Sequence, residues 1–370
     1  MNNFGTNLPA IRGVQGGRTF YVTNLPNGVF ETILNGIESA AEPTQRPLDP
    51  RHADQIAEYI KANPNDYVVG ALTYAMDRPS PFTKLGDQDF GGFDLGVMSI
   101  PIGTKFHSLD GQHRREAIIK VQREMSGVAS DSTAVIFYVE PDLFKKRQMF
   151  SDMNSTSKKV SKSLNVSFDN RDPFARAAKV LITEHPLLID RIEQLAPRVK
   201  ADSGDFFSLF SIQDALKKLY VGTGGRVKDS STITEDQIVA RGADFFTMLL
   251  KARPEYSEAQ RSQPALVKYR SNTILFSSTT LRALAGATYK ATQYYSKQSP
   301  QVIHDKITAG FAKIDFSTKS KLFLDSGFIT VENGTPSARN QEVIGATNAI
   351  YKALQDGTGE EPQSRLSVIH

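Results

Sequence analysis

Asp110, Gly111, Gln112, His113, Arg114 and Arg115 stand in one unbroken row, flanked by the apolar Leu109 and by Ala117 and Ile118. A carboxylate, an amide, an imidazole and two guanidinium groups at that spacing suit an anion and the water or metal ion that travels with it. Gly111 lets the backbone approach a ligand closely. Apolar positions at Ala117, Ile118, Val121 and Met125 have helical spacing, so a helix is expected from about Gln112. A helix start presents a positive dipole end and binds phosphates, and His113, Arg114 and Arg115 add forked, charged donors there. Asp110 can position an arginine, hold Mg²⁺ or orient a water. Catalytic roles are therefore expected of Asp110, His113 and Arg114, and phosphate contacts of Gly111, Gln112, His113, Arg114 and Arg115. The plainer alternative stays open: an Asp before a helix is often only a cap, and Arg-Arg a solvated face.

A second feature is basic. Lys145, Lys146, Arg147, Lys158, Lys159 and Lys162 place six positive charges in a short stretch interleaved with Ser and Thr, as contacts to a nucleic-acid backbone often do. A solvated face explains such a run equally well. Asn154 and Ser155 between them are expected in a loop at a sheet end, where α/β proteins gather ligands. The stretch "GVQGGR" (13–18) with Arg12 can cradle a phosphate or simply turn a hairpin.

The elements that must carry these groups are legible in outline. Residues 17–25, 67–76, 95–102, 106–109 and 132–140 read as strands, and the last, being almost continuously apolar, suits the interior of a sheet. A helix is expected from Asp49 to Ala62, with Asp49 as cap, Pro50 in the first turn, and Ile56, Tyr59 and Ile60 on one face. Another opens at Pro141 and runs through Phe150. From about residue 170 the apolar period becomes helical throughout, with caps at Asp172, Thr234 and Ser337. The Phe-rich "DFFSLF" (205–210) reads as core, and "TLRALAGATYKATQYY" leaves room for a helix-turn-helix. The expectation is an α/β N-terminal domain over 1–168 and a mainly α-helical domain over 169–370.

Composition narrows the function classes. The chain of 370 residues has no cysteine, which removes disulfides, thiolate nucleophiles and Cys-based metal sites. A net charge of +4 is compatible with a nucleic-acid partner without requiring one. There is no apolar run long enough for a membrane span and no signal-like start, so a cytoplasmic protein is expected. No Walker-type glycine loop occurs, so any nucleotide site is not of the P-loop kind.

The row "DGQHR" resembles the signature of the DGQHR-domain proteins, in particular the DndB family of DNA sulfur modification, also called phosphorothioation. "LPAIRGVQGGRTFYV" (8–22), "QRPLDPRHADQIAEYIKANPNDYVVGALTYAM" (45–76) and "QMFSDMNSTSKKVSKSLNVSFDNRD" (148–172) extend the likeness over roughly residues 8–175. The family is in turn similar to the ParB and sulfiredoxin group, in which a turn at a helix start holds nucleotide phosphates. By that likeness Gly111, His113 and Arg114 take the phosphate roles. Arg46, ahead of Pro47 and therefore extended, with Arg51 and His52, is expected to reach the same ligand. Gln112 stands where sulfiredoxins carry a cysteine, so thiol-based reduction is not expected.

The resemblance implies a DNA-binding regulator that controls expression of the modification genes and works with the other proteins of that system. Its expected partner is double-stranded DNA, contacted by the basic run, and a homo-oligomer is expected by analogy. The alternative is a DNA-stimulated NTPase subunit that binds ATP or CTP with Mg²⁺.

Overall fold

Residues 6–26 form the sheet's first hairpin, because two alternating stretches meet at a pair of glycines. Thr6–Gln15 (β1) and Arg18–Pro26 (β2) pair antiparallel with Gln15 opposite Arg18. Gly16 and Gly17 make the turn at φ 57° and 74°, in the left-handed region that a two-residue hairpin of this kind requires. The computed structural model describes residues 5–34, 48–87, 90–155, 161–227, 232–332 and 334–356. Its contacts divide the chain into two compact units, up to Lys158 and from Lys159, ten residues earlier than the expected boundary.

The first unit is α/β. Leu72–Met76 (β3), Phe82–Lys84 (β4), Asp94–Ile100 (β5), Phe106–Asp110 (β6) and Ser132–Val139 (β7) complete a seven-stranded sheet in the order β4-β5-β1-β2-β7-β3-β6. Neighbours run antiparallel except β3 and β7, which are parallel. The near-continuous apolar run of β7 fits its place between two partners.

Five α-helices accompany the sheet among the described residues: Phe30–Ile33 (α1), Pro50–Ala62 (α2), Gln112–Glu124 (α3), Ser126–Ser130 (α4) and Leu143–Ser155 (α5). Asp49 caps α2, its side chain accepting from Arg51 N–H, and Pro50 opens the first turn. Ala57 and Ile60 of α2 and Ala117, Ile118 and Val121 of α3 pack with Tyr74, Phe106 and Phe137 on one face of the sheet. Each such large side chain contributes about 1.5–3 kcal/mol on burial. Side chains alternate across a strand, so Ala75 and Leu109 point to the other face, where Met149 of α5 covers them.

Two expected elements shift. The strand expected over 67–76 begins only at Leu72. Before it, side chains rather than a ladder satisfy the chain: Val68 N–H donates to Tyr59 Oη at 3.0 Å, and Tyr67 Oη donates to Asp131 at 2.7 Å. The helix expected from Pro141 starts at Leu143 and reaches Ser155, so Asn154 and Ser155 are helical rather than in a loop.

The second unit is mainly helical. Pro173–Glu184, Leu209–Val221, Glu235–Ala252, Ser278–Tyr294, Pro300–Lys313 and Asn340–Asp356 are its longest helices, with one short parallel pair, Ile192–Glu193 and Phe207–Ser208. Phe174, Phe206, Phe207, Phe245, Phe246, Tyr256 and Phe311 anchor its core. Thr234 caps its helix as expected and forms a capping box with Gln237. Ser337 does not cap the last helix, which starts at Asn340; its hydroxyl accepts from Arg339 N–H instead. The stretch that left room for a helix-turn-helix is one unbroken helix, Ser278–Tyr294, with Gly286 packed against Thr223. Among the described residues no helix is long and apolar enough to cross a membrane.

Candidate functional site

The row Asp110–Arg115 lies where β6 ends and α3 begins, and the sheet register shows how it is aimed. Thr73 pairs with Asp110 while Tyr74 pairs with Ser108, so Leu109 is the extra residue of a β-bulge. A bulge bends its strand and redirects the side chains that follow. Gly111 then turns the chain at φ 93° and sits at the N-cap of α3. A Cβ there would lie 2.6 Å from Leu72 Cδ2 and 3.3 Å from Leu72 Cα, so both conformation and space require glycine. Glycine offers no capping side chain, and the positive end of α3 is left for other groups.

Arg114 folds back over this turn. Its Nη2 donates to Asp110 Oδ2 at 2.6 Å, and its Nη1 lies against Gly70, where any Cβ would collide with it. Sequence reasoning missed Gly70; the signal was a lone glycine inside an apolar run, which often marks a close approach. Arg115 is about three-quarters buried, and its Nε has no hydrogen-bond partner among the described residues. The hydroxyl of Tyr74, fully buried on β3, has none either. Burial pushes the Tyr74 phenol well up, and the charges of Arg115 and Arg114 pull it partly back. Two guanidinium groups and an unsatisfied phenol thus lie together at the helix start.

His113 joins this helix start to that of α2. Its Nε2 accepts from Asp49 N–H at 3.0 Å, and its ring meets His52 edge-on with centroids 5.0 Å apart. His52, expected near the ligand, is therefore brought to the row. Arg46 lies outside the described residues.

As chemistry, the arrangement is a cationic cradle with one carboxylate at its mouth. Asp110 is half exposed, and a carboxylate in such a position could hold a Mg²⁺ together with phosphates, the usual way Mg²⁺ is held. Among the described residues no group of three or more metal-ligating side chains gathers. The guanidinium of Arg114, seated between Gly70 and Gly111, is the group that could meet a phosphate. Both candidate proton acceptors are engaged: Asp110 by Arg114, His113 Nε2 by Asp49.

The other expected contacts disperse. Asn154 donates to Phe150 O at 2.8 Å within α5, and α5 covers the sheet face opposite α2 and α3. Of the basic run, Lys145 and Arg147 are exposed, whereas Lys146 is only 3% exposed and cannot belong to a DNA-facing surface. The reason is helical geometry: residue 146 shares the inner face with Met149 and Met153. Lys146 lies close enough to Asp77 for its charge to help hold that carboxyl below the usual range, after Arg78 and Lys105 N–H, against the upward pull of burial. Lys158 and Lys159 lie outside the described residues. Lys162, in the second unit, rests its ammonium 4.8 Å above the Phe210 ring. A residue that sequence reasoning passed over, Phe144, is 76% exposed on α5 beside Lys145. Arg12 and Arg18 serve the sheet by pairing with Asp94 and Glu140, so "GVQGGR" is a hairpin.

A family model described as DndB, DNA-sulfur modification-associated, matches residues 8–357. No curated protein and no solved structure matches.

Proposed function

The chain belongs to the DndB family of DNA-sulfur modification-associated proteins, and from that premise we propose that it is a DNA-binding regulator of such a system whose hold on DNA is set by a nucleotide phosphate at Asp110–Arg115. The observation that carries this reading is the seat of Arg114 over Gly70 and Gly111, held by Asp110 beside an uncapped helix start. Gly111, Gln112, His113, Arg114 and Arg115 take the phosphates of ATP or CTP, and Asp110 takes the Mg²⁺ that accompanies them. The relation to ParB-like domains, which hold nucleotides at such a turn, belongs to the same proposal.

The DNA-facing surface in this reading is the outer side of α5. Lys145 and Arg147 supply phosphate contacts, and exposed Phe144 supplies an apolar group that can lean against sugars or wedge a base step. Partners are then double-stranded DNA, further copies of this chain on paired half-sites, and the other proteins of the modification system, whose expression it restrains.

The pairing of Asp110 Oδ2 with Arg114 and of His113 Nε2 with Asp49 N–H supports binding over turnover; the two readings part at phosphate release. The test is duplex binding by fluorescence anisotropy with and without ATP or CTP and Mg²⁺, beside a phosphate-release assay. A nucleotide-dependent change in DNA affinity without turnover supports the regulator. Turnover stimulated by DNA and abolished in Arg114→Ala would establish the NTPase instead.

A further inference from the structure

Within the second unit, helices Leu209–Val221, Glu235–Ala252, Ser278–Tyr294 and Pro300–Lys313 enclose a half-open pocket of about 560 Å³, a size typical of small-molecule sites. Its inner wall is apolar, with Met248, Ile303 and Ile307. Polar groups converge at its rim, and two of them are set up in a specific way. Arg241 lies flat, its guanidinium 4.3 Å above the Tyr220 ring and its Nη1 donating to Leu219 O at 3.3 Å. Asp244, one turn further along the same helix, is exposed and has no hydrogen-bond or ion-pair partner among the described residues.

The third is His304. Its Nδ1 is buried without a hydrogen-bond partner among the described residues, 3.7 Å from Asp305 Oδ1.

These groups select a ligand class. The carboxylate of Asp244, exposed at the rim, opposes a simple anion, because like charges repel. The charged rim opposes a purely aliphatic guest. A flat guanidinium and the ring of Tyr289 provide stacking surfaces. Asp244 can accept from N–H donors, while Arg241 can donate to acceptors. A planar heterocycle with donors and acceptors side by side on one edge satisfies them together. We propose that this pocket binds a nucleobase, presented by a nucleoside or by an unpaired nucleotide of DNA. It is a separate site from the phosphate cradle and does not depend on it.

The experiment is calorimetric titration of the full chain with each of the common nucleosides. None of them carries a phosphate, so the cradle at Arg114 is not probed. The expected result is binding of at least one nucleoside with a dissociation constant below about 1 mM. Asp244→Asn, an exposed substitution, and Tyr289→Ala should each weaken it about tenfold or more. Arg114→Ala should leave it unchanged. Displacement of the bound nucleoside by a duplex with one unpaired base, and not by a fully paired duplex, would place the base in DNA. Absence of such displacement would place it as a free nucleoside. No binding by any nucleoside at millimolar concentration, or binding equally strong in Asp244→Asn, overturns the proposal.

Discussion

Arg114 Nη2 lies 2.6 Å from Asp110 Oδ2, across a left-handed turn that only glycine accommodates without strain. The carboxylate is half exposed, and ion pairs of that kind stabilise by only about 0.2–1 kcal/mol. The pair therefore aims the guanidinium more than it holds the fold.

Arg114→Ala should accordingly leave the urea midpoint nearly unchanged while ATP or CTP affinity falls about tenfold or more, since a charge-assisted phosphate contact contributes roughly 1.5–3 kcal/mol. Calorimetry beside urea denaturation checks both halves. Equal nucleotide affinity in wild type and variant would remove the cradle from the functional account.

Gly70 and Gly111 separate aim from architecture. Gly70→Ala meets only the far end of the Arg114 side chain, so stability should stay within about 0.5 kcal/mol while nucleotide binding weakens. Gly111→Ala meets Leu72 and keeps an unfavourable positive φ, and should cost about 1–3 kcal/mol in urea denaturation.

On α5, neighbours in sequence should behave differently. Lys145→Ala and Arg147→Ala should weaken duplex binding and lower the slope of log affinity against log salt, each by about one phosphate's worth. Phe144→Ala should weaken binding with the slope unchanged. Lys146→Ala should act on stability instead, by about 1–3 kcal/mol, because its side chain is buried. A uniform loss of DNA affinity across all four, without any change in the melting transition of Lys146→Ala, would refute this division.

His185 supplies the pH prediction. It is buried, its Nδ1 accepting from Leu187 N–H and its Nε2 3.1 Å from Thr247 Oγ1. Burial lowers its pKa below the usual histidine value, against a smaller raising contribution from the Ala243 backbone. The unfolded chain then binds this proton more readily, so the stabilisation is complete above the ordinary value and is lost as pH falls from there through the lowered one. Urea midpoints should drop from pH 7 toward pH 5, and the drop should be smaller in His185→Gln.

Local signals carried much of this architecture in the sequence. The turn at Gly111, the helix from Gln112 and the Asp49 cap follow from residue types within a few positions, and the structure keeps them. What was not legible depends on partners distant in the chain. The bulge at Leu109 exists only relative to β3, and the seat at Gly70 only relative to Arg114. Lys146 is an intermediate case: the run Lys145-Lys146-Arg147 looks uniformly solvated. Extending the helix to Met149 and Met153 places residue 146 on the inner face, so the burial of one lysine was available from spacing alone. Ser337 failed as a cap because its hydroxyl serves the turn before the helix rather than the helix itself.

The strand that delivers the row, β6, is the last in the sheet and, among the described residues, is bonded to β3 alone. An edge strand with a bulge can peel away by giving up one ladder, while the remaining six strands keep theirs. Opening at this place costs less than global unfolding, and amide hydrogens from Phe106 to Asp110 should exchange ahead of those in β7. A ligand closing on Arg114 would slow that exchange. Occupancy of the cradle is then readable as the stiffness of a strand.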